Sequence, residues 1–200
     1  MRIIRRQIDS ALYERLVLSR DKEKVKSLAL KGQIIEKPED IVKDPYILEF
    51  LGLEEQNSYS ENRLETEIIN NLEKFLLELG KGFTFVGRQV RFTFDEKHFR
   101  VDLVFYNRLL KCFVLIDLKI GEVTHQDLGQ MQMYVNYYDR YEKQDFENPT
   151  IGILMCPDKN DAMVELTLPE NSNIYASKYQ LYLPDKKLLQ DKLKEWMEEI

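Results

Sequence analysis

The stretch Cys112-Phe-Val-Leu-Ile-Asp-Leu-Lys-Ile120 decides the fold, because it predicts a buried strand that carries an acid and a lysine. The run Val101-Asp-Leu-Val-Phe-Tyr106 just upstream is equally apolar and carries one more acid, Asp102. Taking an ionised carboxylate out of water costs on the order of several kcal/mol even after relaxation. We therefore expect each acid to be paired, shifted in pKa, or bound to a metal ion.

The two acids are predicted to face each other across a hairpin. A four-residue loop over 108–111 pairs residue 107 with residue 112 and, five positions further, Asp102 with Asp117. Their Cβ atoms then lie about 5 Å apart. Lys119 follows Asp117 by two positions and shares its face, while Leu118 points to the opposite layer and leaves its backbone carbonyl near the acids.

The pattern outward from this hairpin predicts the order helix, three strands, helix, strand, helix, strand, helix. Ser60 begins a helix whose apolar stripe runs to Leu79, and Phe83–Phe94 forms the first strand. Thr124 caps the second helix, with Asp127 at the position of a capping-box acid. The run Thr150–Cys156 indicates a strand covered on both faces. Pro184 begins a terminal helix. We predict an α/β fold with a mixed sheet flanked by helices.

The N-terminal part of the chain is predicted to be a helical extension over residues 1–57, used for packing or assembly. Residues 58–200 form the main domain in this prediction. The apolar stripe of the first helix, which includes Ile8, Leu12 and Leu16, has no partner within its own segment. It must be buried on the main domain or on another chain, so we expect a homodimer as one outcome.

Composition limits the class of protein. The chain has 200 residues, of which 44% are apolar or aromatic and 32% are charged, as expected of one globular domain with a short appendage. No apolar run approaches the roughly 20 residues of a membrane span, so we expect a cytoplasmic protein. The net charge of -6 argues against coating nucleic acid by bulk electrostatics, although a local basic groove is compatible with it.

Oxygen ligands at the acid pair favour a hard cation. Mg²⁺ or Mn²⁺ bound by Asp102, Asp117 and the Leu118 carbonyl would polarise a phosphoryl oxygen and lower the pKa of a bound water. Lys119 would position that water and stabilise charge on the phosphate. Cys112 and Cys156 lie in apolar strands and are expected to be buried thiols, so they indicate no zinc site. The competing interpretation is a structural ion pair of either acid with Lys119 or Arg100.

These residues resemble the PD-(D/E)XK nuclease superfamily, whose signature is an acid on one strand followed by acid-x-lysine on the next, in an αβββαβ core like that of restriction endonucleases. Val101 stands where the signature has proline. The chain is more specifically similar to the bacterial YhcG-like family, whose usual N-terminal domain is largely absent here. The strings that carry this likeness are Phe75-Leu-Leu-Glu-Leu-Gly-Lys-Gly-Phe-Thr-Phe-Val-Gly-Arg-Gln89, Asp102-Leu-Val-Phe-Tyr106, Asp117-Leu-Lys119 and Gly129-Gln-Met131.

The resemblance implies further site residues. It implies an acid on the first core helix, for which we choose Glu67, with Glu65 as the competitor. It also places Gln130, on the helix after the acid-x-lysine strand, at the edge of the site.

Other candidates follow from the residues themselves. Arg88 and Gln89 interrupt the first strand and are candidates for contacting substrate phosphate, with a structural salt bridge as the alternative for Arg88. For the tyrosines of the second helix we favour core packing or a dimer interface over base stacking; they are Tyr134, Tyr137, Tyr138 and Tyr141.

The function predicted from the sequence is hydrolysis of phosphodiester bonds in DNA by a divalent-metal-dependent nuclease. Asp102 and Asp117 bind the metal, Lys119 activates water, Glu67 assists, and Gln130 shapes the site. One alternative is a catalytically silent nuclease-like module that binds nucleic acid or mediates assembly. Another is a structural ion-pair cluster without a ligand.

Overall fold

The computed structural model describes residues 33–55 and 59–183, together with Lys187. The predicted first helix and the predicted terminal helix after Pro184 lie outside the helices and strands that it describes. The described strands are β1 (Tyr46–Ile47), β2 (Phe83–Phe94), β3 (Lys97–Asn107), β4 (Cys112–Leu118), β5 (Ile151–Cys156) and β6 (Ile174–Gln180). The described α-helices are α1 (Glu61–Asn70), α2 (Leu72–Leu79), α3 (His125–Tyr137) and α4 (Asp161–Thr167).

The strands form one mixed sheet in the order β1-β6-β5-β4-β3-β2. The β2-β3 and β3-β4 pairs are antiparallel, whereas β5 pairs in parallel with both β4 and β6. Helices cover both faces, with α1 and α2 on one side and α3 and α4 on the other. The predicted α/β fold is confirmed.

The helix predicted to begin at Ser60 is divided in two. Ser60 Oγ accepts a hydrogen bond from Arg63 N and begins α1, as its sequence position predicts. Asn71 leaves helical geometry, with φ -114° and ψ 31°, and separates α1 from α2. Both helices nevertheless bury their apolar residues against the sheet; these are Leu64, Ile68, Phe75 and Leu79.

The hairpin of β3 and β4 has the predicted register. Asn107 pairs with Cys112 and Leu103 pairs with Ile116, across the four-residue loop 108–111. The buried Asn107 side chain accepts hydrogen bonds from two backbone N–H groups of this loop and thereby stabilises it. The register is therefore fixed by both the turn and the apolar strands.

Strand β2 bends where it passes the site. Its pairing with β3 shifts between Phe85 and Gly87, and Gln89 adopts the left-handed conformation with φ 49°. The distal halves of β2 and β3, residues 90–101, form an arm that packs against α3. Phe92 stacks on Tyr137 at a centroid distance of 4.0 Å and contacts Tyr134 edge to face.

Helix α3 begins with the predicted capping box. Thr124 Oγ1 accepts a hydrogen bond from Asp127 N, and the Asp127 carboxylate accepts one from Thr124 N. After Tyr137 the chain continues as a π-helical turn, Tyr138–Glu142. Of the four tyrosines in this segment, Tyr134 and Tyr138 are buried, whereas Tyr141 is 60% exposed.

Residues 33–55 pack on the main domain. Strand β1 extends the sheet beside β6, and Ile41, Leu48 and Leu51 enter the core that α1 and α2 cover. Strand β1 is followed by the 3₁₀ turn Glu49–Leu51. The boundary between residues 57 and 58 stays a prediction, although residues on both sides of it share one core. None of the helices in the described part of the chain combines the length and hydropathy of a membrane span.

Candidate active site

The two strand acids lie opposite each other. Asp102 precedes Leu103 and Asp117 follows Ile116, and because Leu103 and Ile116 are paired, the two acids face the same side of the sheet. Asp117 is only 5% exposed. The backbone N–H of Leu118 donates a hydrogen bond of 2.8 Å to Asp102 Oδ2, which fixes the orientation of this carboxylate.

Lys119 lies against both β4 and α3. Its Nζ is 2.8 Å from Asp117 Oδ2 and 3.3 Å from Asp127 Oδ1. Its backbone N–H donates to Met155 O, and its carbonyl accepts a hydrogen bond of 2.8 Å from the hydroxyl of Tyr179. Contacts of both its backbone and its side-chain amine therefore hold Lys119 in place.

The pKa of Asp117 is raised from its ordinary value to about 7. Burial is the main cause, and the neighbouring Asp102 charge adds to it. The hydrogen bond and charge of Lys119 lower the pKa of Asp117, but they do not offset the other effects. The ionised form of Asp117 is thus costly in this site, first because it is buried and then because Asp102 lies beside it.

The pKa of Lys119 lies above its ordinary value. Burial alone would lower this pKa, but the hydrogen bond and charge of Asp117 outweigh it, with further contributions from the charges of Glu61 and Asp127. Lys119 therefore keeps its proton at neutral pH. It can donate hydrogen bonds and stabilise negative charge.

Glu65 of α1 reaches the site through Gln89. The Gln89 Nε2 group donates hydrogen bonds to Glu65 Oε2 and to Asp102 Oδ1, the latter at 3.0 Å. Arg88 Nε lies 3.1 Å from Glu65 Oε1, an ion pair without hydrogen-bond geometry, since that oxygen has no hydrogen-bond partner among the described residues. Burial raises the pKa of Glu65, although Gln89 and Arg88 act in the opposite direction.

Glu67 points elsewhere. Two helical positions correspond to about 200° of rotation, so Glu65 and Glu67 lie on different sides of α1. Glu65 is 3% exposed, whereas Glu67 is half-buried and has no described contact with Asp102 or Lys119. The competing candidate Glu65, and not our choice Glu67, is the helix acid that the structure brings to the strand acids.

Gln130 is connected to the acids through Tyr134. Its side-chain amide donates a hydrogen bond to the Tyr134 hydroxyl, one helical turn further along α3. The pKa of Tyr134 is raised, first by burial and then by the charges of Asp117 and Asp102, while the Gln130 bond lowers it. Gln130 and the buried Tyr134 therefore lie at the edge of the acid pair.

Sequence reasoning missed Asp127, Glu61 and Tyr134 as neighbours of the site. Asp127 was visible as a capping-box acid, but its contact with Lys119 depends on how α3 packs on β4. Glu61 begins α1 and affects Lys119 only through its charge. The expectation for the cysteines is confirmed, because Cys112 and Cys156 are buried free thiols.

The donor set at the acids suits a hard cation. Asp102 and Asp117 present two neighbouring carboxylates, and burial makes the ionised form of Asp117 costly without a further cation. Within a strand, the N–H and C=O of one residue point toward the same neighbouring strand, so the Leu118 carbonyl is directed toward the Asp102 side. Among the described residues, no group of three or more His, Cys, Asp or Glu side chains is arranged to hold a metal ion by itself.

Several solved structures resemble the chain at low similarity. A crystal structure of a repair endonuclease from Pyrococcus abyssi matches with a TM-score of 0.41 and 18% identity, over 66% of this chain and 50% of that one. The structure of an EndoMS-dsDNA2 complex matches with a TM-score of 0.44 and 15% identity, over 66% of this chain and 51% of that one.

Sequence comparison gives a much closer relationship. The family model of the YhcG PDDEXK nuclease domain matches residues 39–194, a range that crosses the predicted domain boundary. The "Putative nuclease YhcG" of Escherichia coli (strain K12) is 41% identical over 194 residues, which is 96% of this chain and 51% of that protein. The chain thus spans about half the length of this curated relative. It belongs to the YhcG-like family of PD-(D/E)XK nucleases.

Proposed function

We propose that the chain is a divalent-metal-dependent nuclease that hydrolyses phosphodiester bonds in DNA. The observation that carries the proposal is the opposition of Asp102 and Asp117 on neighbouring strands, with Lys119 Nζ 2.8 Å from Asp117. A structural ion pair would need one acid for one lysine. Here burial and, after it, the charge of Asp102 raise the pKa of Asp117, so keeping both acids ionised is unfavourable unless a cation binds.

The metal would be held by Asp102, Asp117 and the Leu118 carbonyl. When bound, Mg²⁺ or Mn²⁺ would supply Lewis-acid polarisation of the phosphate and a more acidic water. Glu65 would take the part that we expected of Glu67, because it is the helix acid linked to Asp102 through Gln89.

The protein side chains have separate tasks in this proposal. Protonated Lys119 donates hydrogen bonds to the attacking water or to the phosphate and offsets charge that develops there. Asp127 holds Lys119 from α3. Gln130 and Tyr134 border the same space, and Arg88, whose side chain is 47% exposed, is available to phosphate. DNA is the substrate to test first because the family is one of nucleases with a restriction-endonuclease-like core.

Cleavage of linear and supercoiled DNA, with RNA in parallel, tests the proposal in Mg²⁺, Mn²⁺ or EDTA. We expect metal-dependent cutting by the wild type and a loss of roughly a hundredfold or more in Asp117→Asn. Asp145→Asn is the matched control, because Asp145 is an exposed acid in the loop after α3.

Two results would contradict the proposal. Cleavage retained in Asp117→Asn would remove the acid pair from the chemistry. Binding of DNA by the wild type without cleavage in any metal would instead favour the silent binding module.

A further inference from the structure

A groove lies between α3 and the arm formed by residues 90–101. Its volume is about 280 Å³. This is slightly below the roughly 300–1,000 Å³ of pockets for drug-sized ligands, so it suits one small planar group. The residues that line it are Phe92, Phe94, Gly129, Gln132, Met133, Asn136, Tyr137, Arg140 and Tyr141.

Aromatic rings form the walls of this arm groove. Phe94 is 50% exposed and Tyr141 is 60% exposed, and their ring centroids are 6.2 Å apart. Phe92 and Tyr137 stack at 4.0 Å behind them and hold the walls in place. Large exposed rings that line a groove offer a stacking surface to a planar ligand.

Amide groups and one cation complete the lining. Gln132 donates a hydrogen bond of 3.2 Å to Asn136 Oδ1, which uses one donor of the first amide and one acceptor of the second. Carboxamides have two donors and one acceptor group each, so this pair can also bond the edge of a base. Arg140 is the one charged residue among those that line the groove, in a chain of net charge -6.

The groove adjoins the candidate active site along α3. Gln130 and Tyr134 border the acids, while Gly129, Gln132 and Met133 line the groove, all within residues 129–134 of the same helix. A Cβ added at Gly129 would meet no atom within 4 Å, so the backbone here is open to a ligand. A nucleic-acid strand bound at the acids therefore comes within reach of the groove.

We propose that the arm groove binds an unpaired base of the nucleic acid that the nuclease acts on. This inference rests on the proposed function. The rings stack on the base, the Gln132 and Asn136 amides contact its edge, and Arg140 offsets the charge of a flanking phosphate. The preferred substrate is then single-stranded DNA, or a duplex with an unpaired end, rather than a fully paired duplex.

Binding by the Asp117→Asn full-length chain tests the inference without cleavage. The probes are a fluorescein-labelled single-stranded oligonucleotide and a blunt duplex of the same sequence, measured by fluorescence anisotropy. Adding Phe94→Ala and Tyr141→Ala should weaken single-strand binding roughly tenfold to a hundredfold and leave duplex binding nearly unchanged. Phe146→Ala is the matched control, because Phe146 is 73% exposed and does not line the groove.

A second signal reports stacking directly. An oligonucleotide that contains 2-aminopurine should lose fluorescence on binding to Asp117→Asn and regain it in the Phe94→Ala, Tyr141→Ala variant. The groove inference would be overturned if the Phe94→Ala, Tyr141→Ala variant lost the same affinity for single strand and duplex, or lost affinity for neither. If the wild type cleaves DNA in that case, the proposed nuclease function still holds. Failure of the wild type to bind or cut any nucleic acid would overturn both.

Discussion

The side-chain amide of Gln89 donates a hydrogen bond of 3.0 Å to Asp102 and a second one to Glu65. The NH₂ group of Gln89 thus bridges the carboxylate of Glu65 on α1 and that of Asp102 on β3. Gln89 also holds a left-handed φ of 49°, which costs a non-glycine residue on the order of 1–3 kcal/mol. A strained backbone at this position indicates that its side chain has a task at the site.

We expect Gln89→Ala to destabilise the metal-free protein, because Glu65 and Asp102 then face each other without a donor between them. Hydrogen bonds to charged groups contribute about 1.5–3 kcal/mol each, so the melting temperature in EDTA should fall by several degrees. The rise in melting temperature on adding Mn²⁺ should be larger than in the wild type. Gln126→Ala, at an exposed position of α3, is the control, and an equal Mn²⁺ effect in both variants would contradict this role.

Glu65→Gln and Glu67→Gln form a matched pair on α1. Cleavage should fall at least tenfold in Glu65→Gln, because the helix carboxylate that Gln89 links to Asp102 loses its charge. Glu67→Gln should lie within a factor of two of the wild type, since Glu67 is on another side of the helix. Initial rates of plasmid nicking in Mn²⁺ measure both. A larger loss of cleavage in Glu67→Gln than in Glu65→Gln would instead assign the role of the helix acid to Glu67.

Stability should depend on pH through Asp117. Its pKa in the folded protein is about 7, above the ordinary value of 3.8, so the folded state holds the proton more tightly than the unfolded state. The resulting stabilisation is complete below the ordinary pKa and is lost as the pH rises through about 7. In EDTA, the melting temperature of the wild type should therefore fall between pH 5 and pH 8 relative to that of Asp117→Asn. Parallel curves for the two proteins would contradict the raised pKa.

Lys159 attaches residues 33–55 to the sheet. Its Nζ lies 2.7 Å from Asp44 Oδ2 and 3.2 Å from Asp161 Oδ1, and it donates a hydrogen bond to Ala176 O. Because both acids are partly exposed, Lys159→Ala should cost only about 1 kcal/mol of unfolding free energy in urea. Lys178→Ala is the control, since its partner Asp158 is more exposed, and it should cost less. If Lys178→Ala lowered the unfolding free energy as much as Lys159→Ala or more, the Lys159 ion pairs would not be what attaches residues 33–55 to the sheet.

The register of the acids was predictable because strand parity leaves few choices. Once the loop 108–111 is assigned to the turn, the opposition of Asp102 and Asp117 follows from pairing alone. The helix acid was harder to predict. Choosing between Glu65 and Glu67 requires knowing which side of α1 faces the strand acids, and tertiary packing sets that. The left-handed Gln89 has no signal in the sequence, since it depends on how β2 bends around α3.

The break at Asn71 was also invisible to periodicity, as the apolar positions continue at helical spacing from α1 into α2. Similarly, Asp127 was identified only as a capping acid. Its ion pair with Lys119 joins residues from two elements that meet only in the folded chain.

Strand β1 protects an edge of the sheet. Without it, the backbone N–H and C=O groups of β6 would be open to pairing with another chain, and the apolar surface beneath Leu48 and Leu51 would face water. A fragment that starts at residue 58 would have both defects, so it should self-associate through edge-to-edge contacts. For expression and crystallisation, a cut at the predicted boundary is therefore a poor choice, and any version shortened at its N-terminal side should keep residues 41–51.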